Sequence, residues 1–151
     1  MSTRVEAERI ARTLGLQPLP GEGGLFRRTY IDAYCSVIYF MLISPDFSAL
    51  HSLDGVETYH WYAGSPLRLL LDPGGQIDQP VLGSDLVAGA RPQVVVPAGV
   101  WQGSSSLGEW TLAGTTMAPA FEWSACHLGR REELVSGWPD AAPRIRALTR
   151  A

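Results

Sequence analysis

From residue 25 onward the chain alternates apolar and polar residues in short segments. The strand-like segments are LFRRTYID, CSVIYFMLI, ETYHWYAG, LRLLLD, RPQVVVPAG, EWTLAGTTMA and FEWSACHL. Turn-forming stretches such as DPGGQ separate them. Alternation of this kind indicates half-buried strands, because successive side chains of a strand point to opposite faces. Many short strands with turns between them predict an all-β sandwich or barrel with antiparallel sheets.

A helix is predicted ahead of the strands, over residues 3–14. Thr3 and Glu6 have the spacing of a capping box, and Gly15 lies where a helix stop belongs. One apolar stripe along this helix contains Ala7, Ile10, Ala11 and Leu14. The stripe predicts that the helix packs against the strands.

No internal repeat or linker divides the sequence of 151 residues, so we expect a single domain over residues 1–151. Apolar residues make up 46% and charged residues 18%, which is typical of a globular protein. We expect the barrel over about 20–128 and a tail of one or two short helices over about 129–150. In the tail, Arg130 and Glu133 are expected to be solvent-exposed rather than catalytic.

The charge, the absence of lysine and the short apolar runs argue against several classes of function. The net charge of −3, with scattered arginines, argues against nucleic acid as a partner. The sequence contains no lysine, which excludes Schiff-base chemistry. No apolar run is long enough to cross a membrane, and the charged N-terminal region is no signal peptide, so a cytoplasmic location is expected. Cys35 and Cys126 are predicted to be buried free thiols in apolar surroundings.

The stretch FSALHSLDGVETYHWYAG contains two of the three histidines and the first candidate site. Strand alternation puts Glu57, Tyr59 and Trp61 on one face. His51 lies across a short turn from Glu57, so these two side chains can converge. His60 is expected to point away from Glu57, as a structural residue.

Two further stretches have polar residues next to turns. In VVVPAGVWQ, a Pro-x-Gly turn brings Trp101 and Gln102 to a corner. In PGEGGLFRRTY, glycines before the first strand permit a sharp turn or a close backbone approach. Arg27 and Arg28 point to opposite faces of that strand, so at most one of them enters the barrel, where it would bind a carboxylate or phosphate.

These stretches, together with APAFEWSACHLGRREELVSGWP, resemble the cupin superfamily. The resemblance is greatest to small single-domain cupins long carried as a family of unknown function (DUF985). It implies a double-stranded β-helix, that is, a jelly-roll barrel, with an N-terminal helix and short C-terminal helices. It also implies a homodimer, because pairing removes exposed strand edges.

Most cupins hold a divalent metal through two histidines, a glutamate and a later histidine. By resemblance, His51 and Glu57 occupy the first histidine and the glutamate positions, and Gly64 is the closing glycine of that motif. Leu53 replaces the second histidine, and Gln102 replaces the last one. One imidazole, one carboxylate and one amide are a poor ligand set, so we expect no cofactor. The alternative is Fe, Mn, Ni or Zn held by His51, Glu57 and Gln102, with His60 as a further candidate.

The resemblance also extends to metal-free cupins that epimerise keto-sugars with a histidine base, an acid and a tyrosine. The first hypothesis is therefore a non-redox isomerase, epimerase, cyclase or lyase, with His51 as base and Glu57 or Tyr59 as partner. The second hypothesis is a metal-dependent oxygenase or lyase, and the third is a non-catalytic protein that binds a small molecule. Candidate substrate-binding residues are Trp61, Trp101, Gln102, Arg28 and Phe40. Trp110 and Trp123 are expected to belong to the core.

Overall fold

In a computed structural model, which describes residues 3–72 and 76–150, the chain forms two antiparallel sheets flanked by helices. The strands are β1 (Gln17–Pro18), β2 (Leu25–Ile31), β3 (Ser36–Ile43), β4 (Ser48–Leu53), β5 (Val56–Gly64), β6 (Leu67–Asp72), β7 (Val81–Leu82), β8 (Gln93–Val96), β9 (Trp101–Ser106), β10 (Trp110–Ala118) and β11 (Cys126–Leu128). The helices are α1 (Arg4–Leu14), α2 (Arg131–Gly137) and α3 (Ala142–Ala147). The first sheet has the order β1-β2-β3-β10-β5-β8 and the second β11-β4-β9-β6-β7.

Helix α1 forms as predicted. The Thr3 hydroxyl accepts a hydrogen bond from the Glu6 amide, and Gly15 ends the helix at a φ of 69°. The apolar stripe of α1 packs against Met41, Trp110 and Leu112 on the outer face of the first sheet. Helices α2 and α3 cover the outer face of the second sheet, where Leu134, Ile145 and Leu148 contact Leu50 and Leu70.

The main core lies between the two sheets. It combines Phe40 and Tyr59 from the first sheet with Leu67, Leu69 and Leu71 from the second. Inward-facing side chains of both sheets therefore fill most of the barrel, as in other two-sheet sandwiches. None of the helices in the described ranges is both long enough and apolar enough to cross a membrane.

The predicted strands are confirmed, with one strand shorter than predicted and several strands that were not predicted. The segment FEWSACHL is a strand only over Cys126–Leu128, since Trp123–Ala125 form a turn of 3-10 helix. Four strands are absent from the prediction, namely β1, β4, β7 and β9. In β4 and β9, serines and a glycine break the apolar alternation in SALHSL and WQGSSS. The predicted turn in DPGGQ falls on residues 73–75, outside the described part of the chain.

Candidate active site

A cavity of about 270 Å³ opens between the sheets. Its walls are mostly apolar and contain Leu19, Phe26, Ile38, Leu53, Met117, Phe121 and Trp123. The polar residues that line it are Glu22, Arg28, Ser36, Glu57, Thr115, Glu122 and Cys126. A largely apolar cavity with a few convergent polar groups is typical of a small-molecule site.

His51 lies behind the cavity wall, on β4, with only 1% of its surface exposed. Its Nδ1 is 2.7 Å from the Ala49 carbonyl oxygen, so a proton on Nδ1 is donated to that carbonyl. Its Nε2 is 2.7 Å from Oε1 of Glu22. This short contact is an ion pair when the imidazole is protonated. Both ring nitrogens of His51 thus face an oxygen.

Glu22 reaches His51 from the loop before β2, and sequence reasoning did not select it. Gly23 and Gly24 have φ values of 99° and 80°, a backbone conformation that favours glycine. A Cβ at Gly23 would lie 2.3 Å from the Phe47 carbonyl oxygen, so the loop approaches the neighbouring chain too closely for any side chain there. The glycines after Glu22 were the available sign that this acid is brought to a half-buried position against His51.

Glu57 is the second carboxyl group at the cavity, and only 7% of its surface is exposed. Thr115 and Gln102 interact with this carboxyl group, but Oε1 has no well-formed hydrogen bond within the described part of the chain. The Tyr59 hydroxyl donates a hydrogen bond to Oε1 of Gln102 at 2.8 Å. Tyr59 and Gln102 therefore lie behind Glu57 and hold its surroundings in place.

Burial and charge shift the pKa values of this cluster. Burial alone would lower the pKa of His51, but the charges of Glu22 and Glu57 outweigh it and raise the pKa to about 9. Burial and the charge of Glu22 raise the pKa of Glu57, despite the opposing effect of His51. At neutral pH the cluster therefore combines a cationic His51 with a Glu57 that holds its proton more firmly than an ordinary glutamic acid. The pKa of Tyr59 lies well above its usual value, mainly because the side chain is buried.

The family profile of the cupin superfamily (DUF985) matches residues 8–129 of this chain, which contain the barrel and the cluster of His51, Glu22 and Glu57. The chain belongs to the cupin superfamily. No curated protein is similar enough in sequence to match it.

Solved structures agree with this cupin assignment. A protein of Shewanella oneidensis is 30% identical and covers 95% of this chain and 97% of its own, with a TM-score of 0.90. A protein of Leishmania major is 23% identical and covers 96% of this chain and 99% of its own, with a TM-score of 0.88. Oxalate decarboxylase from Bacillus subtilis is 13% identical over 88% of this chain and 37% of its own, with a TM-score of 0.61. The last two similarities support the cupin fold alone.

The residues of this cupin do not fit the metal that most cupins hold. Leu53 lines the cavity at the position of the second histidine, and an alkyl side chain provides no ligand. Both nitrogens of His51 already face Glu22 and the Ala49 carbonyl. Across residues 3–72 and 76–150, no group of three or more His, Cys, Asp or Glu side chains is arranged to hold a metal ion. His60 is turned away, as predicted, with Nε2 3.2 Å from the Thr116 hydroxyl.

Of the predicted substrate-binding residues, Arg28 lines the cavity. Arg27 instead approaches the end of α1, where its Nη1 lies 3.4 Å from the Leu14 carbonyl oxygen. Phe40 and Trp61 pack in the core between the sheets, and Trp101 packs on the outer face of the second sheet with Leu50. None of these three, nor Gln102, lines the cavity.

The two tryptophans predicted to be core residues differ. Trp110 is buried under α1, as predicted. The prediction for Trp123 is wrong, since 58% of its surface is exposed and its ring lines the cavity. The reason is that residues 123–125 leave the strand for a turn, with Trp123 stacked edge-to-face on Phe121 at 5.0 Å.

The tail residues agree with the prediction, and the cysteines are free as predicted but half-buried rather than buried. Cys35 and Cys126 are free thiols, and burial together with Glu22 and Glu57 raises the pKa of Cys126 to about 11. Cys126 therefore holds its proton at the cavity wall at neutral pH. In the tail, Arg130 and Glu133 form an exposed ion pair at 3.4 Å.

Proposed function

We propose that this cupin is an enzyme that moves protons on a small carbonyl compound, without redox chemistry, in the barrel cavity. The observation that carries the proposal is the pair of carboxyl groups, Glu22 and Glu57, at one cavity wall with the buried cation of His51 behind them. Two carboxyl groups in different environments are suited to opposite roles, one as base and one as acid. An acid–base pair of this kind can serve an isomerase, an epimerase, a cyclase or a lyase.

The roles follow from the surroundings of each group. The Glu22 carboxylate would remove a proton from the carbon next to the carbonyl. Glu57, whose pKa is raised, would donate its proton to the developing enolate oxygen. His51, with a pKa of about 9, would remain protonated and balance the negative charge of the wall. The base is thus Glu22 in this proposal, whereas the sequence suggested His51.

Proton exchange with solvent tests the proposal before any substrate has been identified. A panel of small keto acids and keto-sugar phosphates is incubated with the protein in D₂O, and loss of the α-proton signal is followed by NMR. We expect exchange of at least one compound by the wild type and a loss of about 100-fold or more in Glu22→Gln and Glu57→Gln. The Glu133→Gln variant, altered in the exposed tail, should exchange normally.

Two outcomes of this experiment would contradict the proposal. Exchange that disappears in chelator and returns with Mn²⁺ or Fe²⁺ would favour the metal-dependent alternative. A compound that binds and is recovered without deuterium would favour a non-catalytic binding protein, which the apolar walls around Phe121 and Trp123 also suit.

The position of Arg28 at the cavity suggests that the substrate is an anion. A guanidinium group binds a carboxylate or phosphate in a defined orientation. We expect Arg28→Gln to raise the substrate concentration that gives half-maximal α-proton exchange by about tenfold, with little change in the maximal exchange rate. Arg27→Gln is the matched control, since Arg27 is adjacent in sequence and faces α1 instead. An equal effect of both variants would rule out this role for Arg28.

A further inference from the structure

The loop that carries Glu22 is held from outside the cavity by Arg150, which follows α3. Nη2 of Arg150 lies 3.2 Å from the Glu22 carbonyl oxygen and 3.0 Å from the Phe47 carbonyl oxygen. Its Nε lies 3.4 Å from the Gly21 carbonyl oxygen. The guanidinium also lies over the Phe47 ring, 4.1 Å from the ring centroid. One side chain thus contacts both the loop and the segment that leads into β4.

Asp46 joins the same two segments. Its Oδ1 pairs with Nη2 of Arg150 at 3.1 Å, and its Oδ2 accepts a hydrogen bond from the Gly24 amide at 2.8 Å. The Ala49 amide donates a hydrogen bond to the Glu22 carbonyl oxygen at 2.7 Å. The backbone of Glu22 is therefore fixed on both sides, by Arg150 and by the start of β4.

Arg150 is itself held by the C-terminal helices. The Leu50 amide donates a hydrogen bond to the Leu148 carbonyl oxygen at 2.9 Å, which ties this segment to β4. Nε of Arg131, in α2, donates to the Thr149 hydroxyl at 2.8 Å. Arg150 thus starts from an anchored backbone, which lowers the entropy lost when its long side chain is ordered.

We propose that Arg150 is a positioning residue, which holds the loop of residues 21–24 so that the Glu22 carboxylate stays against His51 at the cavity wall. The inference rests on the proposed role of Glu22. A guanidinium suits this task because its several N–H groups diverge in one plane and can reach carbonyl groups of two segments at once. Lysine would offer a single point of charge in the same place.

The test compares Arg150→Gln with Arg146→Gln, an exposed arginine of α3, as the matched control. Hydrogen exchange measures the protection of the Ala49 amide, whose acceptor is the Glu22 carbonyl. We expect protection at Ala49 to fall about tenfold or more in Arg150→Gln and to stay unchanged in Arg146→Gln. Amides of β10, far from the loop, should keep their protection.

The second readout is the ¹⁵N resonance of the His51 ring, identified by its absence in His51→Gln. We expect it to move in Arg150→Gln in the same direction as in Glu22→Gln, with partial recovery in Arg150→Lys. Protection lost equally at β10 would show that Arg150 only stabilises the fold, and an unmoved His51 resonance would show that it does not position Glu22. Either result would overturn the proposal.

Asp46→Asn provides a second variant if Arg150→Gln does not fold. Its amide oxygen can still accept a hydrogen bond from the Gly24 amide, while the charge that pairs with Arg150 is lost. Asp46→Asn should therefore lower Ala49 protection in the same way, to a smaller extent. Both readouts are made without substrate. If no compound exchanges its α-proton but both positioning readouts come out as expected, only the proposed function is contradicted. If the positioning readouts fail, only this inference is contradicted.

Discussion

At the scale of single residues, the arrangement around His51 differs from that of a metal-binding cupin. The imidazole occupies the first histidine position of the motif, but its Nε2 faces the Glu22 carboxylate, and Leu53 and Glu57 line the cavity while His51 does not. A histidine between two carboxyl groups acts as a fixed cation, because its pKa of about 9 keeps it protonated at neutral pH. The arrangement thus places a cation behind the two carboxyl groups that line the cavity.

This raised pKa predicts how stability depends on pH. A group whose pKa is higher in the folded state adds stability that is fully present below its unfolded value and is lost as pH rises through the folded value. For His51 that window runs from the ordinary value of 6.5 to about 9. We expect the free energy of unfolding to fall across this window by up to about 1 kcal/mol per pH unit. Urea unfolding at pH 7 and pH 9 measures it.

Two histidine variants show whether His51 causes this dependence of stability on pH. We expect His51→Gln to make the free energy of unfolding less dependent on pH. We expect His60→Gln to leave that dependence unchanged. Within the described residues, the side-chain hydrogen bonds of His60 are to Thr116 and Gln93 and involve no charged group. A wild type equally stable at pH 7 and pH 9 would contradict the ion pair of His51 and Glu22.

Residues of the site were predictable from sequence only where a motif or strand alternation fixed their direction. His51, Glu57 and the outward-facing His60 followed from those patterns. Glu22 did not, because a loop acid has no periodicity and its approach to His51 depends on contacts distant in sequence, including Arg150. The choice between Arg27 and Arg28 likewise required the packing of α1.

At the scale of elements, β5 shows why the first cupin motif ends in glycine. Gly64 has a φ of 83°, and a Cβ there would lie 2.6 Å from the Trp110 carbonyl oxygen and 2.7 Å from the Trp110 ring. The end of β5 therefore packs directly on the start of β10, beneath α1. Gly99, in the Pro-x-Gly turn before β9, has a similar φ of 78° but open space around it.

Gly64 and Gly99 form a matched pair for mutagenesis, because both have a positive φ and only Gly64 is crowded. We expect Gly99→Ala to lower the free energy of unfolding by about 1 kcal/mol, which is the cost of the left-handed backbone alone. Gly64→Ala should cost about 3 kcal/mol, since it adds a clash with a buried tryptophan. Chemical denaturation of both variants measures the difference, and equal losses would mean that Trp110 moves aside freely.

Elements were predicted well where apolar residues alternate and poorly where polar site residues replace them. Strands β3, β5, β6 and β10 carry apolar side chains and followed from the pattern. Strands β4 and β9 carry His51 and Gln102 among serines. These polar residues interrupt the apolar alternation, so the strands that carry them are not recognisable from the pattern.

At the scale of the whole molecule, the homodimer stays a prediction. Strand β8 is an edge of the first sheet, and Val95 on it is exposed. Exposed edges promote pairing between chains. We expect a dimer in light scattering after size-exclusion chromatography, and a monomer in Val95→Glu if the edge is the contact. Val87→Glu, at a fully exposed valine outside the sheets, is the control. A monomeric wild type in light scattering would contradict the predicted homodimer.

Trp123 gives the molecule an optical signal at the mouth of its cavity. Its indole is largely in water and touches the cavity, while Trp110 is enclosed under α1. Emission from an exposed indole lies at longer wavelength and is quenched by acrylamide, and a ligand that covers the ring would reverse both effects. Compounds can therefore be screened by fluorescence before any reaction is known, with Trp123→Phe to separate this signal from the other tryptophans.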